Sequence, residues 1–244
     1  MTAQPRWFQA LSKAISLPEN KGKVVYQLAT VDSHNIPHVR SLIHRDFLIP
    51  KTYPAVPVFL TTTDVRTPKV TQLLSNANLE IAWWLEGSQD QFRIAGRATI
   101  IPAPNHPFHM MNSLPRGSAL QYLDEGGDEN YPGKYNWEKK RSEVFNNMSS
   151  HMKASWLRPP PGSALNSYDD AKAWPETVLK IGEAKSDEDK MNTEIALSNF
   201  ALVLIEPHEI DWVQLGVVPN QRTRFTRLTG EAGGDEWKEE IQVP

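Results

Sequence analysis

Short strand-like segments fill residues 23–101 and return at 200–243, with a proline-rich stretch between them, and this arrangement limits the folds open to the chain. In the first block "KVVYQLATVD" (23–32) and "PHVRSLIHRDF" (37–47) flank the turn-forming "SHNI", which predicts a hairpin. "VPVFLTTT" (56–63) reads as a third strand, followed by a helix over "TPKVTQLLSN" with a proline in its first turn. "LEIAWWL" (79–85) and "FRIAGRATII" (92–101), rich in β-branched and aromatic residues and separated by "EGSQDQ", predict a second hairpin. In the closing block "FALVLIEP" (200–207), "EIDWVQLG" (209–216), "RTRFTRL" (222–228) and "WKEEIQV" (237–243) carry the same signal. Either block alone would leave short strands with bare edges. The economical packing is one mainly β domain over 1–244, an antiparallel barrel with peripheral helices, crossed by an irregular excursion at about 102–191.

Three further local readings follow. Trp7, Phe8, Leu11 and Ile15 recur at helical spacing, so an amphipathic helix opens the chain. Within the excursion only "WEKKRSEVFNNMSSHMKA" (137–154) has a firm helical pattern. Residues 183–190 read as a solvated loop.

Composition removes whole classes of function. A formal net charge of −3 offers no general attraction to nucleic acid or to an anionic membrane, so any basic cluster is local. With no cysteine there are no disulfides, thiolate nucleophiles or cysteine-held metals. No apolar leader or spanning run is apparent, which predicts a cytoplasmic or nuclear protein. His106 and His109 have an HxxH spacing but no third ligand, so no metal is expected. A dinucleotide fingerprint, a P-loop and a nucleophile elbow are all missing from the sequence.

Against that background, "ATVDSHNIPHVRSLIHRDF" (29–47) is unusual for placing Arg40, His44 and Arg45 in a half-buried strand. Strict alternation puts Arg40 and His44 on one face and Arg45 on the other, so a regular strand cannot aim both arginines at one ligand. A bulge, a strand end, or two faces serving different partners would each resolve this, and an edge strand that uses charge against aggregation is the plainer reading. Other cations gather at strand ends: Arg66 and Lys69 at a helix start, Arg93 and Arg97, and Arg222, Arg224 and Arg227. In an acidic chain this pattern suggests a pocket for a phosphorylated ligand, because guanidinium groups and helix N-termini both receive phosphate well. Trp83, Trp84 and Trp212 would supply apolar walls or core.

Five blocks in order, "LATVDSHNIPHVRSLIHRDF", "TTTDVRTPKVTQL", "LEIAWWLEGSQDQFRIAGRA", "SSHMKASWLRPPPG" and "NFALVLIEPHEIDWVQL…NQRTRF", make the chain resemble the pyridoxamine 5′-phosphate oxidase-like FMN-binding split barrels over nearly its whole length. The resemblance is greatest to the subfamily found in fungi and cyanobacteria. It implies an FMN-dependent oxidoreductase acting on a small molecule, with the cofactor at the interface of a homodimer. Arg40, Ser41 and Leu42 match the strand beside the flavin, and Arg45 falls where the family has Lys or Arg. Thr62, Thr63, Arg66 and Lys69 match the turn that holds the FMN phosphate, and Gln91 the glutamine that bonds the ring. Trp212 and Arg224 match residues near the ring, in this family often from the second subunit, while Ser149 and Lys153 align with a helix that reaches the cofactor.

One departure bears on substrate. Where oxidases of vitamin B6 phosphates carry a substrate-contacting arginine and histidine just before the flavin-binding arginine, this chain has Asn220 and Arg222. Near residues 108–118 only Arg116 and Ser118 resemble a substrate-phosphate clamp. The resemblance therefore implies the cofactor more firmly than the substrate. A flavin carrier or sensor without turnover, and a sibling that binds a deazaflavin or haem, the latter ligated by His38, His44 or His151, are the alternatives.

Overall fold

The computed structural model describes residues 4–51, 53–111, 117–123, 135–228 and 236–244. Among the described residues nine strands form one antiparallel sheet: β1 Val25–Val31, β2 Pro37–Ile43, β3 Asp46–Leu48, β4 Val58–Asp64, β5 Asn78–Leu85, β6 Asp90–Ile101, β7 Phe200–Gln214, β8 Gln221–Leu228 and β9 Glu236–Gln242. Their order is β2-β1-β5-β6-β7-β4-β3, with β8 on β7 and β9 on β8. Five α-helices accompany them among the described residues: α1 Arg6–Ser16, α2 Pro68–Ser75, α3 Trp137–Asn146, α4 Ser150–Ala154 and α5 Asp187–Asn199. The expected antiparallel barrel with peripheral helices is the architecture found. No described helix is long and apolar enough to cross a membrane.

The sheet splits along β7. Both halves of this strand pair with β6 on one edge, but on the other edge Phe200–Ile205 pairs with β4 and Glu209–Gln214 with β8. At the fork the β6 register shifts: Ala95 lies opposite Glu209 and Gly96 opposite Pro207, so His208 is an extra residue, a β-bulge. Pro207, which lacks an N–H for the ladder, is tolerated where pairing is interrupted. The sequence predicts two strands here; the bulge keeps them one.

The predicted strand 37–47 is the opposite case, one segment that becomes two. β2 ends at Ile43, after which His44 N–H donates to Val24 O (2.7 Å) and Arg45 N–H to Leu60 O (2.9 Å). These two residues tie the β1 side of the sheet to β4 and close the barrel. Arg45 thus leaves the alternation of β2, and the strand-end alternative is the one realised.

Two apolar clusters lie on either side of β4 and the first half of β7. Inside the barrel Trp7, Leu28, Phe59, Ile81, Ile94, Val203, Ile210 and Phe225 pack together. On the far face Val58, Leu60, Leu202 and Leu204 meet Phe145, Met148, Ala154 and Trp156. Burial on both faces explains the unbroken apolar runs of these strands. α1 lays Trp7, Phe8 and Leu11 into the barrel mouth, each worth roughly 1.5–3 kcal/mol in buried surface. The excursion does more than cross the surface, because it supplies the outer half of the second cluster.

Two helical expectations need correction. The predicted helix 137–154 is α3 and α4, separated where Ser149 accepts a hydrogen bond from Met152 N–H (3.2 Å) as an N-cap. Within the predicted loop 183–190, Ser186 caps α5 and Asp187, Glu188 and Asp189 occupy its first turn, where carboxylates favour the helix dipole. Arg116 lies outside the described residues; Ser118 hydrogen-bonds Glu206 and caps a short helical turn.

Candidate functional site

β4 ends in Thr62, Thr63 and Asp64, the chain turns at Val65–Thr67, and Pro68 starts α2 with φ already set for a helix. This local strand–turn–helix builds one wall of a cleft of about 290 Å³, lined also by Ser41, Leu42, Arg45, Lys69, Met152, Ser155 and Trp156. Lys69 Nζ donates to Thr63 Oγ1 (2.8 Å) and Thr67 Oγ1 (2.9 Å). Burial, with Arg40 nearby, lowers its pKa to about 8. Arg45 approaches from the barrel seam, with Nε 3.4 Å from Thr62 Oγ1 and Nη2 2.8 Å from Met152 Sδ.

The cleft also holds Asp64, and its charge is already answered. Arg66 donates to it twice from the side chain, Nε to Oδ1 (2.9 Å) and Nη2 to Oδ2 (2.6 Å), and once from the backbone N–H to Oδ1 (2.8 Å). Nη2 of Arg66 also reaches Trp156 O (3.3 Å), while the Trp156 indole donates to Thr63 O (3.2 Å), fixing α4 against the turn. With Asp64 matched by Arg66, the lining has two further cations, Arg45 and Lys69, and a ring of hydroxyls. That composition suits an anion that accepts several hydrogen bonds.

Arg40 stands behind this wall. Its Nη1 donates to Thr30 Oγ1 (2.6 Å), Leu28 O (3.2 Å) and His38 O (3.1 Å), and Nη2 to Gln72 Oε1 (3.1 Å). It does not line the cleft, and neither does Arg66. Of the residues singled out from sequence, Ser41, Leu42, Arg45, Thr62, Thr63 and Lys69 come together.

Others stand apart within one chain. Cross-strand pairs run Ser41–Gln27–Ala82–Arg93–Asp211–Arg224, one face of the sheet across five strand spacings, about 24 Å along its surface. Gln91 shares that face with Arg224, two residues from Arg93. Trp212 is on the opposite face, stacked on Phe92 at 5.6 Å and donating to Asp90 Oδ1 (2.8 Å). Arg222 forms a fork on Asp211 (2.9 and 2.7 Å), which Arg93 also engages, and Asn220 is exposed just before β8. Ser149 serves as the α4 cap, and Lys153 turns away from the cleft, with Nζ 5.6 Å from the Phe145 ring centroid. His38 contacts Asp32, His151 contacts Glu176 O, and no histidine lines the cleft.

Sequence reasoning missed Met152, Ser155 and Trp156. The block "SSHMKASW" does reach the cleft, but the helical face that carries Met152 continues to Ser155 rather than to Lys153.

The comparisons agree with this architecture. Residues 4–102, which hold β1 to β6 and the cleft from Ser41 to Lys69, match the model for the FMN-binding domain of pyridoxamine 5′-phosphate oxidase. Over residues 4–102 the chain is thus similar to the FMN-binding domain of pyridoxamine 5′-phosphate oxidases. Among its relatives, pyridoxine/pyridoxamine 5′-phosphate oxidase 2 of Arabidopsis thaliana is 24% identical over 240 residues, covering 98% of this chain and 96% of the relative. A pyridoxamine 5′-phosphate oxidase-related, FMN-binding protein of Nostoc punctiforme superposes with a TM-score of 0.67 at 20% identity, covering 100% of both chains. PhzG of Burkholderia lata, solved with tetrahydrophenazine-1-carboxylic acid, gives 0.52 at 13% identity, over 98% of this chain and 90% of that one.

Proposed function

We propose that the chain binds FMN through its phosphate in the Lys69 cleft and acts as an FMN-dependent oxidoreductase on a small molecule, with oxygen as acceptor. The observation that carries this reading is the pair Arg45 and Lys69 in a hydroxyl-lined cleft whose carboxylate, Asp64, is already held by Arg66. Lys69 and Arg45 would neutralise the phosphate, with Thr62, Thr63 and Ser41 supplying hydroxyl donors. Arg40 would act from behind by positioning Gln72 and adding positive potential. FMN, when bound, supplies the hydride chemistry, and the protein supplies position and electrostatics.

A homodimer is part of the proposal. Gln91 and Arg224 lie three and five strand spacings across the sheet from Ser41, yet they share its face. A second copy docked on that face would bring them to the ring, and Val25, Val39 and Trp84, exposed at 45%, 70% and 42%, supply apolar area for it. Trp212, sandwiched between Phe92 and the Arg6 guanidinium (5.9 Å), would support the ring site from behind.

Vitamin B6 phosphates are the first substrates to test, because of the Arabidopsis relative's name, but Arg222 is occupied by Asp211 and Asn220 has no charge to offer. The FMN-loaded protein should oxidise at least one amine or alcohol in air, with flavin bleaching under anaerobic conditions. A protein that binds FMN and is bleached by no member of a substrate panel led by pyridoxamine 5′-phosphate is a carrier or sensor instead. Failure to bind FMN at all overturns the reading.

A further inference from the structure

The turn that carries Arg45 has a second side. Between it and α3 lies another cleft, of about 270 Å³, whose polar lining is His44, Arg45, Asp46, Lys140, Glu143 and Asn147. Lys140, Glu143 and Asn147 follow one another at helical spacing and so share a face of α3 and its C-cap. Arg45 is common to both clefts and forms the wall between them.

The charges in this cleft are layered by depth. The Lys140 side chain is only 12% exposed, whereas Asp46 and Glu143 are 56% and 54% exposed. Lys140 Nζ is 3.2 Å from Glu143 Oε1 and 3.8 Å from Asp46 Oδ2, so two half-exposed carboxylates pair with one largely buried ammonium group. Apolar side chains, among them Leu60 and Val144, make the walls between these levels. His44 adds an imidazole whose Nδ1 is buried and has no hydrogen-bond partner among the described residues. Phe47, Phe59 and Trp83 surround that ring, at centroid distances of 4.3, 6.1 and 5.1 Å.

We infer that this cleft is a binding site for a small zwitterion, entered with its anionic end first. A carboxylate or similar group would take over Lys140 from Asp46 and Glu143, its hydrocarbon part along the apolar wall, and its ammonium group between the two released carboxylates. A plain anion would leave the two carboxylates released from Lys140 without a counter-ion, and a plain amine would compete with Lys140 for them. Only a ligand carrying both charges is favoured at each depth. The volume admits a compound of amino-acid size, near the lower end of small-molecule sites. Because Arg45 is shared, such a ligand lies beside whatever fills the first cleft, but the site itself does not require FMN to be the occupant there.

Three probes of equal chain length separate the possibilities: β-alanine, propionate and propylamine, titrated calorimetrically into the full-length protein without and with FMN. β-Alanine is expected to saturate in the millimolar range, with propionate and propylamine about tenfold weaker or worse, and Lys140→Met and Glu143→Gln should each weaken β-alanine about tenfold. Glu143 is a surface residue, so its variant reads the site even where Lys140→Met folds poorly. Absence of saturation by β-alanine up to about 50 mM, equal binding of all three probes, or β-alanine affinity unchanged in both variants would overturn the assignment. The titration without FMN tests this cleft by itself, whether or not the first cleft takes the flavin.

Discussion

Arg66 grips Asp64 rather than the cleft: its Nε and Nη2 meet the two carboxylate oxygens at 2.9 and 2.6 Å. The family resemblance implies Arg66 among the phosphate ligands; the structure gives it a counter-ion two residues away. Its influence on an anion in the cleft then runs through Asp64. Arg66→Ala should expose that carboxylate beside Lys69 and weaken FMN by roughly tenfold to a hundredfold, about 1.5–3 kcal/mol. Adding Asp64→Asn should restore much of the loss. Fluorescence titration of the single and double variants checks this, and a double variant no better than Arg66→Ala would show that Arg66 meets the phosphate itself.

Lys69 sets a pH dependence with two opposite signs. With a pKa of about 8 in the ligand-free protein, the lysine is cationic at neutral pH and discharges above it. A bound phosphate holds the proton, so FMN affinity should be level below about pH 8 and fall above it, by up to about tenfold per pH unit. Lys69→Met should bind weakly with no such slope. Stability of the ligand-free fold moves the other way. Between about 8 and the ordinary lysine value of 10.5 the unfolded chain holds more protons than the folded one, so stability rises with pH across that window. Urea unfolding at both ends, with and without the Met substitution, measures it.

His44 makes the protein acid-sensitive. Burial lowers its pKa from 6.5 to about 4, so as pH falls through that interval the unfolded chain gains a proton the folded one refuses. Stability therefore falls over that interval, and His44→Leu should lose less between pH 7 and 4.5 than the parent. Parallel unfolding curves for the two proteins at both pH values would contradict this.

Gly96 is required where the barrel forks. A Cβ there would lie 2.7 Å from Glu206 O and 3.1 Å from Ile205 Cγ2, and the first of these is backbone that cannot swing aside. Gly96→Ala should cost about 1–3 kcal/mol, read as a lower urea midpoint with an unchanged slope. A loss below about 0.5 kcal/mol would mean that the bulge relaxes.

Legibility in the sequence follows the range of the interactions. The hairpins 23–43 and 78–101 and the strand–turn–helix at 58–75 are set by neighbours, so their alternation and turn residues are readable, and with them Thr62, Thr63 and Lys69. Pro207 reads as a strand end because a proline signals interrupted pairing, and nothing local reveals that the interruption is a bulge against Ala95 and Gly96. α5 buries only Thr193 and Ala196 among its described side chains, which leaves little apolar period to detect. Arg40 and Arg45 show the limit most clearly. Their directions depend on where Leu60 and Gln72 arrive in space, and Met152 joins Arg45 from 107 residues away.

Whether the Lys69 cleft holds the phosphate of FMN is read from the chromophore content of the purified protein. The protein, saturated with FMN and freed of excess by gel filtration, is denatured in acid and the released flavin identified and counted by chromatography. FMN is expected at about one per chain in the parent, with a large loss in Lys69→Met, given the tenfold to hundredfold fall in affinity for one buried charged contact. A colourless parent, or a Lys69→Met protein that retains FMN as fully as the parent, would contradict it.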